Sequence, residues 1–210
     1  MNVIRTLLLT GGTIHDWRDC GDEIEKILSA PDFHVTRVND DLSVLESGLD
    51  KFDLMILYWT RGDLTDPQRD GLLGRLADGG GFVGVHSATA SFLECPKFHE
   101  MLGGLFVTHP PVGEYRVSIE QPEHLIVRGM AEFVVRDEQY ITEYDPGVNV
   151  LASALWQDEK SPVAWTKSWG AGRVFYLALG HDPLACRNEN FNRLLIDGSS
   201  WAAGRLNPDA

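Results

Sequence analysis

The sequence predicts an α/β fold with a mainly parallel central sheet, helices on both of its faces and an antiparallel extension in the second half of the chain. Three observations carry this. Strand-like and helix-like segments alternate up to about residue 104. The strand-like runs are almost continuously apolar, as strands buried on both faces are. Beyond them come strand-like segments with no long helix between.

The elements follow in order. Residues 3–9 are a β-rich apolar run closed by Thr10-Gly11-Gly12, and residues 22–28 carry Ile24, Ile27 and Leu28 at helical spacing. Residues 34–38 and 52–59 are the second and third strands. Asp66-Pro67 opens a helix with proline in its first turn, Leu72, Leu73 and Leu76 form its apolar side, and Gly79 stops it. Residues 115–119, 133–135, 148–155, 162–169 and 173–179 then read as strands, with Gly170-Ala171-Gly172 turning between the last two, and residues 191–203 give a closing amphipathic helix.

At 210 residues, with 43% hydrophobic and 23% charged positions, the chain suits one compact domain spanning residues 1–210. Its 18 basic against 31 acidic residues give a net charge of −13, which repels phosphate backbones and anionic lipid. Nucleic-acid and membrane partners are therefore not expected. No run approaches the ~18 apolar residues of a membrane span, and a cytoplasmic location is the expectation. Cys20, Cys95 and Cys186 are scattered and odd in number, which argues against disulfides and zinc knuckles. No dinucleotide-binding or phosphate-loop glycine pattern is present.

Gly79-Gly80-Gly81-Phe82-Val83-Gly84-Val85-His86-Ser87-Ala88 is the most informative stretch. An apolar strand runs into a sharp turn flanked by small residues, the layout of a nucleophile elbow, with an imidazole at its crest. Such a ring suits general acid–base work or metal ligation, and the elbow predicts that it faces an accessible cleft. Ligands settle at the carboxyl ends of parallel strands, so residues just after strands are the candidates. These are His15, Arg61 with Asp63, His86, Glu138 and His181 with Asp182, while Trp17 or Trp59 offers an aromatic face for a sugar ring. His109 lies in a loop that pattern alone does not place. The bland readings are an N-cap for Asp182 ahead of Pro183, rim or core packing for Trp17, and a solvated acidic turn for Asp137-Glu138. Convergence of His15, His86, His109, Glu138 and His181 would suit zinc or another divalent metal, with His15, His86, His109 and His181 as candidate ligands.

Several of these motifs occur together in one family. Thr10-Gly11-Gly12 with His15-Asp16-Trp17, the stretch from Gly80 to Ala88, Leu102-Gly103-Gly104 with His109-Pro110, Asp137-Glu138-Gln139-Tyr140, Pro162-Val163-Ala164-Trp165, and Gly170-Ala171-Gly172-Arg173 leading to Gly180-His181-Asp182 span nearly the whole chain. The chain resembles ThuA-like (trehalose utilisation) proteins of the class I glutamine amidotransferase-like superfamily. The resemblance implies a flavodoxin-like three-layer sandwich, with His86 in place of the amidotransferase cysteine and His181 where the catalytic histidine sits. It also implies a role in sugar catabolism.

The expectation is an enzyme acting on a disaccharide or keto-sugar derivative, as hydrolase, lyase or isomerase, with His86, His181 and Glu138 catalytic. His15, Trp17, Arg61, His109 and Asp182 would contact substrate, with or without a divalent metal. A homo-oligomer is compatible with this reading. The rival is a binding module that kept the fold and lost the nucleophile; burial of His86 beneath packed side chains would favour it. Acyl transfer through Ser87 or Cys95 is not expected.

Overall fold

The computed structural model describes residues 3–206. In chain order they form β1 (Ile4–Gly12), α1 (Trp17–Ile27), β2 (Phe33–Asn39), β3 (Leu54–Thr60), α2 (Asp66–Ala77), β4 (Gly81–Val85), α3 (Pro96–Leu102), β5 (Gly104–Thr108), β6 (Gly113–Ile119), β7 (Phe133–Asp137), β8 (Ile141–Tyr144), β9 (Asn149–Trp156), β10 (Glu159–Trp169), β11 (Gly172–Leu177), α4 (Pro183–Cys186) and α5 (Glu189–Ala202). A 3-10 turn, His86–Ala90, follows β4 directly.

Nine strands share one sheet in the order β2-β1-β3-β4-β11-β10-β9-β6-β7. The first five are parallel, in a flavodoxin-like order; β10, β9, β6 and β7 extend them antiparallel. β11 is the hinge of the architecture, pairing antiparallel with β10 and parallel with β4. That pairing brings the segment after β11 beside the turn after β4.

Side chains alternate across the parallel strands and build a core on each face. On β3, Leu54, Ile56 and Tyr58 pack with Ile24 of α1 and Phe191, Leu194 and Leu195 of α5. Met55, Leu57 and Trp59 pack on the opposite face with Leu72, Leu73 and Leu76 of α2 and Phe98 and Leu102 of α3. This is the three-layer sandwich. It also explains why β3 is apolar at nearly every position, since neither face meets water.

The structure corrects several local expectations. α1 begins at Trp17, five residues ahead of the helical spacing, because the Asp16 side chain caps it by accepting from the Asp19 amide. β5 and β8, which the sequence pattern does not mark, form a separate two-stranded ribbon. Both are short, and β8 alternates too weakly to register as a strand. No helix among the described residues is long and apolar enough to cross a membrane.

Candidate active site at the carboxyl edge of the sheet

Three parallel strands each deliver a histidine to one point. β1 ends at Gly12 with φ +95°, where a Cβ would stand 2.0 Å from the Thr60 carbonyl oxygen; only glycine allows β1 and β3 to converge this closely. The following loop then lays His15 on β3, with Nδ1 2.7 Å from Thr60 Oγ1. At the end of β4, His86 has φ +45°, the strained backbone expected of an elbow. Its carbonyl accepts the Tyr176 hydroxyl at 2.7 Å, and its Nδ1 donates to the Ala178 carbonyl at 2.7 Å. After β11, Gly180 turns the chain at φ +102° and presents His181.

Asp137 ties the second half of the site together. Its Oδ2 accepts the Gly180 amide at 2.7 Å, while Oδ1 accepts the amides of His181 at 3.0 Å and Glu138 at 2.8 Å. One buried carboxylate thus fixes the backbone of both neighbouring site residues. Burial pushes its carboxyl up to about 6, against the three amides that favour its charge.

The side chains meet around Glu138. Its Oε2 lies 3.7 Å from His15 Nε2, 3.5 Å from His86 Nε2 and 3.1 Å from His181 Nδ1, while the Nε2 atoms of His15 and His86 are 3.2 Å apart. Its other oxygen, Oε1, lies 3.0 Å from His109 Nδ1. Tyr140 roofs the group, its ring centroid 4.0 Å from that of His86 and its hydroxyl 3.5 Å from His15 Nε2.

Burial disfavours the Glu138 carboxylate, but His15, His181 and His86 together outweigh it and hold the carboxyl well below its usual range. Glu138 in turn raises His181. His86 falls to about 4 because burial penalises its charged form more than Glu138 favours it. The site therefore places an ionised carboxylate beside a neutral buried imidazole and a readily protonated one.

His86 is not presented to open space as the elbow predicts. It is fully buried, because β4 lies in the middle of the sheet and the rings of His15, Tyr140 and His181 pack around it. The site residues that reach solvent are His181 and His109, whose side chains are 27% and 41% exposed. His109 stands outside the four-residue cluster and reaches it only through Glu138.

Trp17 is buried in the core with the Arg18 guanidinium 4.0 Å over its ring, so it offers no platform for a sugar. Asp182 caps α4, accepting from the Ala185 amide at 2.8 Å, and so takes the bland reading. Arg61 is exposed at the end of β3 with φ +67° and has no ion-pair partner among the described residues. Asp137 and Glu138 are both buried, not a solvated turn. Ser87 and Cys95 are buried too, and the Cys95 thiol is free.

The sequence pattern assigns no site role to Asp137, Thr60 or Tyr140. For Asp137 a signal existed, since it shares the inward face of β7 with Phe133 and Val135 at period two. Surface hollows of about 540 and 360 Å³, lined respectively around Arg5 and Asp53 and around Glu120 and Tyr144, contain no member of the cluster.

A three-layer sandwich with a buried imidazole at the turn after its fourth strand defines the class of this protein. The chain belongs to the ThuA family, whose model, described as trehalose utilisation, matches residues 5–202. Among solved structures it is similar to a ThuA-like protein from Parabacteroides merdae, at 21% identity and TM-score 0.87, covering 98% of this chain and 92% of that one. A ThuA-like protein from Bacteroides uniformis follows at 23% identity and TM-score 0.78, covering 95% and 91%. The β-galactosidase of Bacillus circulans shares the fold over 32% of its length and 98% of this chain, at 13% identity and TM-score 0.67. Comparison with curated protein sequences finds no match.

Proposed function

We propose that the protein is an enzyme of sugar metabolism that acts on a disaccharide or keto-sugar derivative at the carboxyl edge of its sheet, as a hydrolase, lyase or isomerase. The observation that carries this is the convergence of His15, His86, Glu138 and His181 on one point, with His109 beside it. The family description, trehalose utilisation, supplies the substrate class.

Removing a proton next to a carbonyl needs a base and an electrophile for the oxygen that gains charge. His109 is the base. Its Nδ1–H faces the Pro110 carbonyl at 2.9 Å and Glu138 Oε1 at 3.0 Å, two acceptors, which leaves Nε2 with its lone pair free on a side chain 41% exposed. The electrophile is the cluster around Glu138, where His181 is favoured in its charged form. His86 and His15 form the buried floor, and Arg61 at the rim contacts a substrate oxygen. Glutamine hydrolysis is not the reaction, because His86 brings no thiolate to the elbow.

The test is incubation of the oxidised (keto) form of trehalose with the protein in D2O, followed by NMR. Deuterium entry next to the carbonyl, or scission of the glycosidic bond, is expected from the wild type and should be lost in His109→Gln. A wild type that does neither removes this reading. Complete burial of His86 favours the rival, a binding module, and in that case the keto sugar should bind without turnover.

A further inference from the structure

The ligand-type atoms of the cluster stand at the separations that a shared cation would set. In a tetrahedral zinc site with ligand bonds of about 2.0–2.1 Å, neighbouring ligand atoms stand about 3.3–3.4 Å apart. Here four of the six separations among His15 Nε2, His86 Nε2, His181 Nδ1 and Glu138 Oε2 are 3.1, 3.2, 3.5 and 3.7 Å, and all four atoms lie within 4.8 Å of one another. They come from four separate chain segments.

The protons point the same way. A carbonyl oxygen can only accept, so the 2.7 Å contact with Ala178 puts the His86 proton on Nδ1 and leaves Nε2 bare. His15 Nδ1 meets the Thr60 hydroxyl, and its Nε2 faces inward, 3.2 Å from His86 Nε2. His181 Nδ1 is buried and makes no hydrogen bond, because its 3.1 Å approach to Glu138 lies outside hydrogen-bond geometry. The bare Nε2 of His86 and the Glu138 carboxylate oxygen, 3.5 Å apart, repel one another unless a proton or a cation lies between them. Fixing each imidazole through its outer nitrogen is how metal-binding histidines are oriented.

We infer that His15, His86, His181 and Glu138 bind one divalent cation of the zinc type, an inference that rests on the reading of this cluster as the reactive centre. Three imidazoles and one carboxylate, without thiolate, suit zinc and the neighbouring first-row divalent metals. Glu138 serves the cation through Oε2 and His109 through Oε1, so one carboxylate couples the two. When bound, such a cation supplies a fixed positive charge for a substrate oxygen. His181, the most exposed of the four, closes the side from which substrate enters.

Tag-free protein purified without chelator should carry close to one equivalent of a first-row divalent metal by elemental analysis. After stripping, titration with Co2+ should give the visible absorption of a four- or five-coordinate nitrogen–oxygen site, saturating at one equivalent. Glu138→Gln and, as a variant on the exposed side, His181→Ala should each weaken Co2+ binding by more than the about ten- to hundredfold typical of losing a supporting hydrogen bond. His34→Ala, on the surface, should leave it unchanged. A wild type that neither carries metal nor takes up Co2+, or uptake that survives both site variants, overturns the inference. Either result leaves the proton-exchange test of His109 standing, so the two readings fail separately.

Discussion

Replacing Asp137 by alanine should destabilise the protein strongly at pH 4 and only weakly at pH 7.5. The substitution strips acceptors from the buried amides of Glu138, Gly180 and His181. At about 1–1.5 kcal/mol for each orphaned donor, the loss is about 4 kcal/mol. A second effect opposes it. Burial pushes the Asp137 carboxyl from 3.8 up to about 6, so ionising it in the folded protein costs about 3 kcal/mol.

Because the folded value lies above the unfolded one, the stability linked to this group is fully present below about pH 3.8 and is lost as pH rises through 6. The alanine variant lacks that titration. The difference between the two proteins should therefore shrink from about 4 kcal/mol at pH 4 to about 1–2 kcal/mol at pH 7.5. Urea unfolding followed by circular dichroism at both pH values, with unchanged slopes, measures it directly. A difference that is larger at pH 7.5 would mean that Asp137 stabilises the fold as a charge, and a constant one that burial does not displace its carboxyl.

Gly12→Ala combines a positive φ with a Cβ 2.0 Å from the Thr60 carbonyl. It should cost about 3 kcal/mol or more and lower the melting temperature by about 6–12 °C; an unshifted melt would show that β1 and β3 can part without consequence. Tyr176→Phe removes hydroxyl contacts to the His86 carbonyl and Thr89 and should cost about 1–2 kcal/mol in urea unfolding. Leu177→Ala opens the fully buried centre of the sheet and should cost about 2–5 kcal/mol, and a smaller loss would mean that the core collapses around the gap. If a cation is bound, chelation should lower the melting temperature by several degrees and excess Zn2+ should restore it; identical melts with and without chelator would contradict the site.

Much of this fold is legible in the chain because local rules agree with it. Near-continuous apolar runs mark strands buried on both faces, Asp66-Pro67 marks a helix start, and Gly84-Val85-His86-Ser87 marks the sharp turn whose backbone the structure shows at φ +45°. The short strands β5 and β8 escape notice because they add only a small ribbon to the main layers.

The sequence by itself determined the class of fold, the strand-end positions of His15, His86, Glu138 and His181, and the absence of a thiol at the elbow. Only the tertiary structure decided that these residues meet. Their contact depends on β11 pairing with β4 and on Asp137 holding the backbone of Glu138 and His181, long-range events that no local pattern encodes. Burial was decided there too. A side chain at the crest of a turn is exposed or sealed according to what neighbouring segments lay over it, and Tyr140, His15 and His181 close over His86 from three separate parts of the chain.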